Sequence, residues 1–365
     1  MKHSAQTAAN PPTKRGTYAS SRALALEDGK YRSAGAILVA DRRLTPTPVF
    51  DTYWRFAAER HAVYQARIRG EDGPWTQDKV IAGHRFTNCY RAADRVSQYL
   101  ISNVAYLPDT DDPIEVMFRI LLFKMFNKVE TWQALCEALD ETPTHKGFDV
   151  EVYNRILGSR IEAGTRLYSA AYIVPPPPFG AVRKHTNHLR LLAYLLHQRV
   201  LEHVRHAPTM RDAYRLLAEL PGIGPFLAYQ FLIDLNYSAA LSFDEMDFVV
   251  PGPGARDGIR KCFGDSARGI EADIIAYMAE HQDEHFTRLG LTFGGLYGRP
   301  LQLIDCQNLF CEVDKYARVV HPDHVGHSGR TRIKQKFTAN PSMMRPWFPP
   351  KWGLNDKVGE PALAS

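Results

Sequence analysis

The sequence predicts an all-α fold on two observations. Apolar residues recur at spacings of three and four through most of residues 50–280, and strand-like alternation is nearly absent. The helical segments fall, in order, at 50–68, 89–101, 114–126, 150–161, 189–204, 213–220, 226–235 and 270–278, with a later helix carrying Asp305 to Lys315. Before them, residues 1–46 are rich in Ser, Thr, Ala, Pro and Arg without periodicity, which predicts a flexible basic arm. Four consecutive prolines, Pro175 to Pro178, interrupt the helices; they cannot donate hydrogen bonds and predict an extended spacer. Residues 326–365 mix bases, aromatics and prolines and predict an irregular tail laid over a surface. The main domain is expected over 47–325.

Of 365 residues, 45% are hydrophobic, enough to bury the core of one large domain. There is no run of 18 apolar residues, and the first residues lack the apolar stretch of a secretory signal, so no membrane association and an intracellular location are expected. The five cysteines form no CxxC pair, which argues against a zinc module, an iron–sulfur loop or a disulfide framework; neither metal nor cofactor is expected. The charge is unevenly spread. Residues 1–50 carry 8 Lys/Arg against 3 Asp/Glu and residues 326–352 carry 6 against none, while residues 51–325 carry 30 against 35. Basic ends on a mildly acidic body suit a phosphate backbone, or simply keep the protein soluble.

The most informative motif is Leu220-Pro221-Gly222-Ile223-Gly224, set between two amphipathic segments. Two glycines one residue apart allow a tight turn between helices and bring phosphate close to backbone N–H groups, here Gly222, Ile223 and Gly224, at the positive end of the next helix. Such a contact grips DNA without reading its sequence. Downstream, Ser242-Phe243-Asp244-Glu245-Met246-Asp247 places three carboxylates beyond that helix.

Hairpin and acidic loop together resemble the helix-hairpin-helix DNA glycosylases over about residues 112–265, with Pro113-Ile114-Glu115 to Phe126 in the place of the first barrel helix. The resemblance implies a bilobal, glycosylase-like helical fold and puts Asp244 at the mouth of a base pocket, with Asp247 as its rival. Bifunctional members carry a Schiff-base lysine where this sequence has Phe226, so strand cleavage is not expected.

A second resemblance covers residues 50–320. It rests on Phe86-Thr87-Asn88-Cys89-Tyr90-Arg91, Asp94-Arg95-Val96-Ser97-Gln98-Tyr99, Phe126-Asn127-Lys128, Thr131-Trp132, the run Phe243 to Gly254 and the run Asp305 to Tyr316. These segments resemble the family named for the helical domain of 5-hydroxymethyl-deoxyuridine DNA kinases. That family includes putative DNA base hypermodification proteins and is similar to alpha-glutamyl and putrescinyl thymine pyrophosphorylases. The resemblance implies work on 5-substituted uracil or thymine in DNA. No GxxxxGK[ST] loop occurs, and Gly252-Pro253-Gly254-Ala255-Arg256-Asp257-Gly258 lacks its Lys and Ser/Thr, so the chain by itself is not expected to be a kinase.

Three functions follow as expectations: transfer to an activated, flipped base, excision of a modified base by a monofunctional glycosylase, or a non-catalytic module presenting DNA to a separate kinase. In either enzyme, Asp244, Asp247 and Glu245 are the catalytic candidates, stabilising an oxocarbenium-like sugar or deprotonating an incoming amine. Asp244 could equally cap the turn after it. Asn88, Arg91 and Arg95, at i, i+3 and i+7 of an expected helix, form a pocket or phosphate contact or a solvated face. Asn127 and Lys128 either join that site or end their helix. His185 and His188 lie beside Lys184 and Arg190, and His197, His203 and His206 extend the basic stripe, for nucleic acid or for solvent.

Overall fold

The computed structural model describes residues 34–169, 174–339 and 345–359, and within them the chain is almost wholly helical. Short polar side chains start many of the helices, as N-caps that accept the first free N–H groups. Thr47 caps α1 (Pro48–Ile68), with Pro48 in the first turn, and Asp78 caps α2 (Lys79–Gly83). After α3 (Arg95–Leu100), one π turn (Ile101–Ala105) leads on to α4 (Pro113–Phe126), capped by Asp112. Then come α5 (Val129–Leu139), α6 (Val150–Glu162), α7 (Lys184–His197), α8 (Val200–Arg205), α9 (Met210–Ala218) and α10 (Pro225–Asn236). The series closes with α11 (Pro253–Phe263), α12 (Glu271–Glu280), α13 (Gln282–Arg288) and α14 (Leu303–Val320).

Helices α4 and α10 are apolar nearly all round and are buried accordingly, packing on each other at the centre. Helix α14 packs on α11 and α1. Gly258 permits that approach: a Cβ there would stand 2.1 Å from the Phe310 carbonyl oxygen, and at Gly254, one turn earlier, 3.0 Å from Cys311 Sγ. These glycines serve helix packing. No helix among the described residues is long and apolar enough to cross a membrane.

Three of the anticipated segments differ from the sequence expectation. Most of the basic arm, residues 1–33, lies outside the described residues, but 37–44 form a hairpin of β1 (Ile37–Val39) and β2 (Arg42–Leu44), with Ile37 opposite Leu44. Its two-residue turn, Ala40-Asp41, has both φ positive, and the fully buried Leu44 anchors it. The helix expected over 189–204 is two helices, because Arg199 adopts φ +52° between them. The helix expected over 89–101 is broken: Arg91–Ala93 is a 3-10 turn, Asp94 is extended, and α3 starts only at Arg95. Asn88, Arg91 and Arg95 therefore do not share a helix face.

Candidate functional site

The turn between α9 and α10 is built by its glycines. Gly222 has φ +76°, a region that favours glycine, and a Cβ on it would stand 2.7 Å from Pro177 Cα, so the proline spacer packs directly on the turn. Ile223 is buried beneath, and its N–H donates to the Leu220 carbonyl at 3.0 Å, while Gly222 and Gly224 remain exposed. Gly224 is the N-cap of α10 and offers no side chain to the first-turn N–H groups, which leaves the positive end of the helix open to an anion.

The chain then runs back along α10. Asn236 clamps Phe243 in both directions, its Nδ2 donating to the carbonyl at 3.0 Å and its Oδ1 accepting the N–H at 2.9 Å. Tyr229 donates its hydroxyl to the Phe248 carbonyl, and Gly252 reaches the Phe226 ring, which a Cβ would meet at 2.7 Å. Gly252-Pro253 opens α11, again without a side-chain cap. The start of α11 is thus set beside the start of α10.

In the acidic loop, Asp244 and Asp247 are exposed and Glu245 is turned inward. Asp244 accepts the Met246 N–H at 2.9 Å, the local turn that a capping aspartate makes. Glu245 pairs with Arg299 at 2.8 Å; burial pushes its carboxyl up, and Arg299 and Lys351 pull it back. The tail closes over this loop. Lys351 places its ammonium among the carbonyls of Asn236, Ser238 and Leu241, at the negative end of α10, where burial lowers it to about 8. Trp352 lies under the Arg299 guanidinium at 4.1 Å, and Trp347 donates its N–H to Gln98.

Behind the loop lies a buried ionic network. Asp234, fully buried, receives both Arg91 Nη atoms at 2.7 and 2.8 Å and Lys124 at 3.0 Å. Burial pushes the Asp234 carboxyl up, but the two cations outweigh it and hold it below the usual aspartate range. Gln230 accepts from Arg91 Nε, and Asn127, left-handed at the C-cap of α4, accepts from Lys124 at 2.8 Å. Asp305 accepts the N–H groups of Arg91 and Gln302 at 2.9 and 3.1 Å, and burial lifts its carboxyl to about 7. Around α10 the protein therefore holds carboxyls of opposite character, one kept below the usual aspartate range by its cations and one raised to about 7 by burial.

Of the residues singled out in the sequence, Arg91 and Asn127 meet in this network. Asn88 is spent on local structure: it accepts from Arg60, donates to the Ala93 carbonyl and gives its N–H to Asp94. Arg95 is exposed at the start of α3, and Lys128 donates to the Arg166 carbonyl. His185 and His188 do not form a surface stripe. Both are buried, and His188 bridges the Tyr168 hydroxyl and the Pro175 carbonyl, with burial lowering it to about 4. Lys124, Gln230, Asp234, Arg299 and Lys351 were not singled out. Polar residues at i and i+4 on the otherwise apolar α10, and a lysine inside apolar α4, were the available signal. Among the described residues, no group of three or more His, Cys, Asp or Glu is placed to hold a metal ion.

Residues 47–326 match the family described as 5-hmdU DNA kinase, helical domain. The chain belongs to that family. A 5-hmdU DNA kinase of Bacillus phage SP10 is 26% identical over 293 residues, a match covering 74% of this chain and 45% of the relative. The chain thus spans less than half the length of the curated relative it matches. No solved structure matches. The matched region includes the α9–α10 turn, the acidic loop and the buried network, and it ends before the tail that covers them.

Proposed function

We propose that this chain is a DNA-binding, base-presenting component of hydroxymethyluracil modification. The α9–α10 unit is read as a helix-hairpin-helix that grips the backbone, within a bilobal, glycosylase-like helical domain. The observation that carries this reading is the pair of exposed glycines, Gly222 and Gly224, at the uncapped start of α10, with the uncapped start of α11 beside it. Backbone N–H groups there bind phosphate without reading sequence. Helix α10, twelve residues and about 18 Å long, then connects the phosphate contact to the acidic loop at its other end. The phosphoryl-transfer chemistry named in the phage relative is assigned to a separate kinase, because these 365 residues contain no GxxxxGK[ST] loop.

A catalytic role, as transferase on an activated base, is favoured by one specific observation. The raised Glu245 sits against Arg299, a proton acceptor beside a cation suited to a leaving pyrophosphate, with Asp244 and Asp247 exposed next to it. The test is to incubate the protein with duplexes containing thymine, 5-hydroxymethyluracil or its pyrophosphate ester, together with candidate amines, and to analyse the nucleosides by mass spectrometry. Unchanged nucleosides with retained duplex binding are the result expected of a presenting module. A new amine adduct that disappears in Glu245→Gln establishes the transferase. Absence of duplex binding refutes both.

A further inference from the structure

A cavity of about 180 Å³ lies away from the acidic loop, between α1, α2, the segment before α2 and the tail. Trp75, Phe86, Phe337 and Ile81 give it apolar walls, and Arg60 and Arg67 enter it from α1. The walls are fixed. Phe337 donates its N–H to the Gly83 carbonyl, Arg85 donates to the Gln335 carbonyl, and the Trp75 and Phe337 rings meet edge to face at 6.4 Å. The Arg67 guanidinium lies over both rings, at 5.0 Å from Trp75 and 5.7 Å from Phe337.

Arg60 is the decisive residue. It is 8% exposed; its Nη2 donates to the Asn88 side chain and the Phe86 carbonyl, but its buried Nη1 has no hydrogen-bond partner. A buried charged donor left unpaired is costly, so the site calls for an acceptor. Among the described residues, no carboxylate lines the cavity to supply one. A cation is disfavoured by two arginines. A purely apolar ring would leave Nη1 unsatisfied. The volume suits one six-membered ring, since an apolar cavity of about 150 Å³ holds benzene. A planar ring with carbonyl oxygens on its edge and π faces for the aromatic walls meets every condition.

We infer that this cavity binds a single pyrimidinedione ring of the uracil type, with a ring carbonyl accepting from Arg60 and the ring packed against Trp75 and Phe337. The choice of a uracil-type ring rests on the hydroxymethyluracil reading above. The ring can arrive as a free nucleoside or as a base rotated out of DNA, and the two sources have the same recognition chemistry.

Binding is measured by calorimetry with 5-hydroxymethyl-deoxyuridine, with toluene, and with single-stranded oligonucleotides carrying one 5-hydroxymethyluracil or one abasic position. Saturable nucleoside binding is expected, weakened about tenfold by Trp75→Ala or Phe337→Ala, as loss of one stacking face implies. Arg60→Gln is expected to weaken the nucleoside by a similar factor while sparing toluene. The wild-type protein alone supplies a second check, because the nucleoside must displace toluene. If only the oligonucleotide with the modified base binds more tightly than the abasic one, and the same variants weaken it, the source is a rotated base. The inference is overturned if neither nucleoside nor modified base binds the wild type preferentially, or if the Trp75 and Phe337 variants, folded by circular dichroism, bind unchanged. Duplex affinity measured in parallel separates the two claims: loss of ring binding with duplex binding intact refutes the pocket alone, and the reverse refutes the hairpin reading alone.

Discussion

Replacing Asp234 by Asn tests the buried network most severely. In the folded protein this carboxylate answers two buried cations, Arg91 and Lys124, whose side chains are 9% and 6% exposed. The asparagine side chain would keep one acceptor oxygen but no charge, leaving both cations uncompensated. Removing one partner of a buried pair costs about 3–5 kcal/mol, a large part of a total stability of about 5–15 kcal/mol. We therefore expect urea unfolding, followed by circular dichroism, to show a loss of about 3–5 kcal/mol for Asp234→Asn. Adding Lys124→Met should recover part of it, within the roughly 0.5–3 kcal/mol coupling of residues in one network. Asp244→Asn is the internal control: asparagine can accept the same Met246 N–H, and the position is exposed, so the change should stay within about 0.5 kcal/mol. Equal stabilities for the two variants would refute the claim that Asp234 holds the buried cations Arg91 and Lys124 in place.

Gly222→Ala should destabilise by about 2–4 kcal/mol in thermal or urea unfolding, since it adds left-handed strain of about 1–2 kcal/mol to a contact with Pro177 backbone that must give way. Asp305, raised to about 7 by burial from its ordinary value of 3.8, binds more protons folded than unfolded, so its contribution is complete below about pH 4 and is lost as pH rises through 7. Against an Asp305→Asn reference, stability should fall over that window by at most about 4 kcal/mol, from 7 − 3.8 units at 1.36 kcal/mol each; a flat difference would contradict it. Lys351→Met should speed amide hydrogen exchange at residues 241–247, because the ammonium ties the Ser238 and Leu241 carbonyls to the tail. Unchanged exchange would mean that the tail does not hold the loop.

The readable parts of the sequence were those encoded by neighbours. The spacing of apolar residues located α1, α4, α6 and α10 to within two or three residues, because each buries a face that its own period defines. Helix α11 was not read as a helix, since its packing face depends on Gly254 and Gly258, which carry no apolar signal but let α14 approach. Asp94 defeated the helix expected through Arg91 by holding the chain extended before α3. Arg91 and Asn127 were picked out, but their partners were not. Lys124, Asp234 and Arg91 come from α4, α10 and a 3-10 turn, and only the fold brings them together. Within the acidic loop, the sequence could not tell which carboxylate turns inward. The Asn236 clamp on Phe243 sets the loop's path, and it is Glu245 that is buried.

The grip of the α9–α10 turn on DNA is tested most directly by the duplex affinity of Gly224→Asp, measured by fluorescence anisotropy at several salt concentrations. Gly224 is an N-cap with φ −78°, and nothing lies within 4 Å of an added Cβ. Aspartate is a preferred cap, so stability should hold or rise by a few tenths of a kcal/mol. Its carboxylate would nevertheless occupy the place proposed for a DNA phosphate. Wild-type affinity is expected to fall linearly, in its logarithm, with the logarithm of salt concentration, and a fully folded Gly224→Asp protein to lose about tenfold or more, the scale of one charge-assisted contact. Unchanged affinity in that variant, or no salt-dependent duplex binding by the wild type, would contradict the proposed grip.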